Sequence, residues 1–155
     1  MTSAPVSQNQ QSIVWKYVIA AAVSLVGLAD AIYLTVEHIT GATLRCSIIS
    51  GCSEVLSSPY AQVGPFPLAA IGAAAYFVVF SLAILAAFGY RGAILPLKIL
   101  LALMFVTTLW LLYLQAFVIH HFCQYCLLSA AITTTLAAIV FFLGSRTAKA
   151  GAPAN

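Results

Sequence analysis

Four long apolar runs dictate what this chain can fold into. They occupy roughly residues 13–36, 67–88, 93–119 and 123–143. A bilayer core about 30 Å thick is crossed by roughly 20 apolar residues in a helix, and each run meets that length. Only helices or closed barrels satisfy every backbone group in lipid, and these lengths suit helices. Composition agrees: 6% of residues are charged and 63% are hydrophobic, against about 25% charged in a soluble domain. With 155 residues the chain makes one small membrane domain. The expected fold is an all-α membrane protein, a four-helix bundle whose outer loop carries a short half-helix. Residues 1–12 read as a disordered cytoplasmic tail, 13–143 as the membrane domain and 144–155 as a second cytoplasmic tail. "LADA" at Leu28–Ala31 imitates a signal-cleavage site, but the apolar run before it is too long and no basic charge precedes Lys16. A net charge of +3 without a basic tract argues against nucleic acid as a partner.

Orientation follows from the short flanks. Lys16 precedes the first run, Arg91 and Lys98 lie between the second and third, and Arg146 and Lys149 follow the fourth. An even number of spans puts these on one side, and only Arg45 on the other. The positive-inside rule then makes both termini cytoplasmic, with residues 37–66 and the turn at 120–123 facing outward. Pro67 suits a first helical position, and Lys98 can snorkel to headgroups. The small residues of "AAIGAAAY" in the second run read as a helix-packing surface.

All four cysteines fall on the outward side. Cys46 and Cys52 lie in the long loop, and Cys123 and Cys126 at the start of the fourth run. Topology makes this the oxidising side. A helix N-terminus carries unpaired N–H groups and partial positive charge, which favour a thiolate, the nucleophile of thiol exchange. Residues three apart share a helix face, and Cys126 lies about 4.5 Å deeper than Cys123. One sulfur can therefore meet the loop and the other a lipid-dissolved oxidant. The loop pair could reach Cys123 through mixed disulfides. Two alternatives remain at this level: staple disulfides on a structural four-span protein, and a zinc site drawing on the cysteines with His120 and His121.

The words "AIYLTVEHI", "CSIISGCSEVLSSPYA", "FPLAAIGAAAY" and "YLQAFVIHHFCQYCLLSA", in that order, resemble the prokaryotic homologues of vitamin K epoxide reductase. The resemblance implies a quinone-coupled thiol oxidase. A separate thioredoxin-like thiol protein on the outer side would deliver electrons to Cys46 and Cys52, these would pass to Cys123, and Cys126 would meet a ubiquinone- or menaquinone-type quinone. It also implies an inner-membrane, multi-pass location. Ser58 matches the family's functional loop serine. Where vertebrate members hydrogen-bond vitamin K through an asparagine and a tyrosine, this chain aligns Leu68 and Ala130, which favours plain quinone reduction over epoxide reduction.

The remaining polar residues suggest an acceptor pocket formed by Phe66, Tyr113, Gln115, His121 and Phe122. Tyr113 or Gln115 could hydrogen-bond a quinone carbonyl, and a histidine titrates near neutrality. Asp30 is a carboxylate inside an apolar span, costly there and functional by default. It could handle protons of quinone reduction or pair with Arg45. Ser53 and Glu54 suggest the start of the half-helix that Pro59 ends.

Overall fold

The computed structural model describes residues 8–40, 55 and 58–149. Four helices dominate it: α1 (Gln8–Thr40), α2 (Leu68–Ala87), α3 (Ile94–Leu114) and α4 (Gln124–Lys149). They give four stretches long and apolar enough to cross a membrane, at Gln11–Thr40, Leu68–Ala87, Arg91–Ile119 (α3 with its flanking turns) and Gln124–Phe141. The expected all-α bundle is therefore the observed one. Two boundaries differ. Helix α1 begins at Gln8 and α4 continues to Lys149, so residues 8–12 and 144–149, read as tails, are helical. Polar residues there continue the backbone ladder, which apolar run length does not register. Residues 1–7 and 150–155 lie outside the described residues.

The connections are short and specific. A 3₁₀ turn at Pro59–Ala61 leads into a two-residue antiparallel ladder that pairs Gln62 with Pro67 and Val63 with Phe66. Pro59 thus follows the helical Val55 and opens a 3₁₀ turn, where its fixed φ is preorganised. The Ser53 and Glu54 part of the expected half-helix lies outside the described residues. His38 Nε2 and Gln62 Nε2 are 3.1 Å apart, tying the end of α1 to this hairpin. At the other end of the bundle, Gly89 (φ 87°) closes α2. The Gly89 N–H bonds to the Ala86 carbonyl and the Tyr90 N–H to Leu85, both at 3.0 Å. This is the double bond of a left-handed helix cap, and it uses a conformation cheap only for glycine.

In the membrane interior, close approach substitutes for hydrophobic drive. Ala20, Ala21 and Ala31 of α1 share a core with Tyr76, Val79 and Ala83 of α2. A Cβ at Gly27 would lie 2.5 Å from Tyr76 Cε1, so the Tyr76 ring lies directly against the α1 backbone. Leu97 and Leu101 of α3 and Leu136 and Val140 of α4 complete this core. Large exposed side chains, among them Trp15, Leu103, Val106 and Trp110, form the face that lipid solvates.

Candidate functional site

The third helix does not end cleanly. Residues Gln115–Ile119 widen into a π-helical turn, and His120 then adopts a left-handed conformation (φ 56°, ψ 22°). This reversal brings the chain back into the bundle within a few residues. It sets Cys123 immediately before α4, in the N-cap position, where its carbonyl accepts the Leu127 N–H at 3.0 Å. Gln115, buried on the π turn, completes the junction: its Oε1 accepts the Cys123 N–H at 3.1 Å.

At this N-cap a sulfur stands where serine or aspartate usually does. The Cys123 thiol receives a hydrogen bond from the Cys126 thiol, and the backbone N–H groups of Cys126 and Tyr125 point at it. Together these lower its pKa to about 7 from the ordinary 9.0, against the opposing effects of burial and the Asp30 charge. Both thiols are free. Cys123 is 0% exposed and packs with Leu34 of α1 and Val55 of the loop. Cys126 is half-buried, and the Gln115 side chain lies within hydrogen-bonding reach of its thiol.

Cys126 faces a cavity of about 280 Å³ at the loop end of the bundle. Leu34 and His38 of α1 wall it on one side, and Ser58 and Tyr60 come from the loop. Leu111 and Gln115 continue the wall from α3 and its π turn. Its α2 wall is Leu68, Ile71, Gly72 and Ala75. Part of the small-residue patch thus lines this space, while Ala73 packs against the helix core as expected. Nothing lies within 4 Å of where a Gly72 Cβ would sit. At the cavity's inner end, the Tyr76 hydroxyl is 2.8 Å from Ser129 Oγ, 2.9 Å from Thr133 Oγ1 and 3.0 Å from the Ser129 carbonyl. Asp30 also borders the cavity.

The residues singled out from the sequence divide into three groups. Cys123, Cys126, Gln115 and Ser58 gather at this end of the bundle, and all but Cys123 border the cavity. The Ser58 hydroxyl donates to the Val55 carbonyl at 2.7 Å. Cys46 and Cys52 lie outside the described residues. Phe66, Tyr113, His121 and Phe122 are exposed and stand apart from the cavity wall. Tyr113 turns outward between Trp110 and Phe117, with ring centroids 6.1 and 5.0 Å away, because the helical turn carrying Gln115 inward carries position 113 to the opposite face. Leu68 and Ala130, aligned with the vertebrate hydrogen-bonding positions, do border the cavity. The polar cluster of Tyr76, Ser129 and Thr133 escaped the sequence reading. Its signal is the spacing of Cys126, Ser129 and Thr133, which puts all three on one face of α4.

The cavity wall is mostly apolar with a few convergent polar groups, the usual make-up of a small-molecule site. Its side-chain hydroxyls and amide can hydrogen-bond acceptor oxygens on a small apolar molecule. A profile of the Vitamin K epoxide reductase family matches residues 18–141, a stretch holding the four apolar spans almost entirely and every cysteine. No curated protein matches the chain.

Proposed function

The chain belongs to the vitamin K epoxide reductase family, and from that premise we propose that it oxidises thiols outside the cytoplasm at the expense of a membrane quinone. At the coarser level it is a multi-pass membrane protein and a thiol oxidoreductase. In the proposed path, a separate thioredoxin-like protein on the outer side reduces the Cys46 and Cys52 pair. The reduced pair then reduces a Cys123–Cys126 disulfide by exchange through a mixed disulfide at Cys123. Oxidation of the Cys123 and Cys126 thiols back to the disulfide releases two electrons and two protons, and a quinone of ubiquinone or menaquinone type takes them up as it becomes the quinol. The membrane would be the inner one, with both termini cytoplasmic, by the charge bias of the flanks.

The observation that carries this reading is the unequal setting of two adjacent thiols. Cys123 sits at the helix N-cap beneath the loop residue Val55, and Cys126 opens on the cavity. The chain's own groups supply the rest. The Cys126 thiol and the N–H groups of the α4 N-terminus lower the Cys123 pKa to about 7, Gln115 fixes Cys123 relative to α3, and Gln115, Ser58 and the Tyr76 cluster offer polar contacts to a bound ring. The apolar wall suits a lipid-dissolved ring.

The test is quinone reduction by purified protein in lipid nanodiscs, with dithiothreitol as donor and a short-chain ubiquinone or menadione as acceptor. Cys126→Ala is expected to abolish it. Full activity in that variant would remove the mechanism. A protein whose outer cysteines stay oxidised across a reductant series, by thiol trapping, would instead be a structural one with staple disulfides.

A further inference from the structure

Asp30 has no role in the path above, yet its setting is the least expected in the molecule. It is 9% exposed, inside an apolar helix, and its Oδ2 has no hydrogen-bond partner among the described residues. Burying a carboxylate oxygen unpartnered is costly, and nothing in the packing of α1 requires it. It borders the same cavity as Cys126. Among the described residues that line that space, it is the one carboxyl group. The ionisable groups around it are Tyr76 from α2, Cys126 from α4, His38 farther along α1, and Tyr60 from the loop. The α3 wall offers only neutral side chains such as Thr107, Thr108 and Gln115. Among the described residues that line the space there is no lysine or arginine, and Arg45 lies outside the described residues. What the arrangement supplies is a group able to take and give a proton beside the Cys126 thiol, in a mostly apolar cavity.

We propose that Asp30 carries the proton between the Cys126 thiol and the oxygen of the quinone ring, an inference that rests on the quinone-coupled reading. The two S–H bonds of Cys123 and Cys126 break and one S–S bond forms. The two electrons released go to the quinone, and its two oxygens each gain a proton. The Cys126 proton travels by way of the Asp30 carboxyl. The Cys123 proton, lost readily at neutral pH, reaches the quinol from solvent at the loop end. Asp30 is thus a catalytic residue of the acceptor half-reaction and takes no part in exchange with the loop cysteines.

The experiment compares wild type, Asp30→Asn and Asp30→Glu in nanodiscs, with dithiothreitol as donor and menadione as acceptor, across a pH series. Asn keeps the shape and removes the proton site, and should lower turnover by about a hundredfold and remove one ionisation from the pH profile. Glu should retain that ionisation and part of the rate. A second readout needs no quinone: the infrared difference spectrum between diamide-oxidised and dithiothreitol-reduced protein should contain a carboxyl band that Asp30→Asn lacks. An Asn variant with wild-type turnover and an unchanged pH profile, or a difference spectrum identical to wild type, overturns the role of Asp30 and leaves the quinone reading standing. A wild-type protein that reduces no quinone overturns both.

Discussion

Gln115 and Cys123 are joined by one hydrogen bond, from the Cys123 N–H to Gln115 Oε1 at 3.1 Å, and that bond spans the break between the third and fourth helices. An N-cap residue's own N–H has no helical partner, and here it is buried. The π turn of α3 exists at the one place where it can deliver an amide oxygen to that group. π turns inside helices often mark such functional junctions.

Replacing Gln115 with Leu would strand the buried Cys123 N–H. The cost expected is about 1–3 kcal/mol of stability, read as a lower thermal midpoint in detergent. Disulfide exchange at Cys123 should slow at the same time, since the thiol loses its fixed position.

The Cys123 thiol, lowered to about 7, sets a pH dependence with a definite sign. Thiolate is present above that pH and is lost as pH falls through it, so exchange with the loop pair should slow in acid. In a Cys46→Ala, Cys52→Ala background, thiolate absorbance at 240 nm should titrate near neutrality. Removing the Cys126 hydrogen bond with Cys126→Ala should move the midpoint up toward the ordinary thiol range.

Gly27 and Tyr76 are packed with no room for a methyl group. The Tyr76 ring is pinned by its hydroxyl contacts to Ser129 and Thr133, so it cannot swing aside cheaply. Gly27→Ala should destabilise by about 1–3 kcal/mol. The penalty should shrink in a Tyr76→Ala background, as a double-mutant cycle of thermal midpoints would measure.

Gly72 borders the cavity with empty space beyond it. Gly72→Leu should fold normally and fill the acceptor space. Its expected signature is a raised KM for quinone, about tenfold or more, with unchanged disulfide exchange between the cysteine pairs. The two half-reactions, measured separately, check this.

Asp30→Leu removes a buried oxygen that no described residue satisfies. It should raise the thermal midpoint while quinone reduction is lost, by a stabilisation of about 1 kcal/mol or more.

Lipid-spanning segments are legible in sequence because run length and charge exclusion are strong, local signals. All four helices follow from them, and Pro67 and Gly89 fall where the second helix starts and stops. The site is legible only where chemistry is encoded by spacing. Cys123, Cys126 and Gln115 lie together in the structure, and Ser58 borders the same cavity as Cys126 and Gln115. Tyr113 and Gln115 carry equal hydrogen-bonding promise in sequence, and helix geometry turns only Gln115 inward. His121 and Phe122 follow the π turn and the left-handed His120 and are exposed, and a backbone irregularity of that kind leaves no trace in apolar periodicity. The small residues around Gly72 carry an ambiguous signal, since the same absence of side chain that lets helices touch also leaves a hollow.

Cys123 lies wholly covered by Leu34 and the loop's Val55, and this has a consequence for selectivity. A sulfur sheathed in aliphatic side chains is insulated from stray low-molecular-weight thiols. In the proposed path electrons reach it through the loop's own cysteines, and the cover of Leu34 and Val55 favours that route over direct attack on Cys123 from solution.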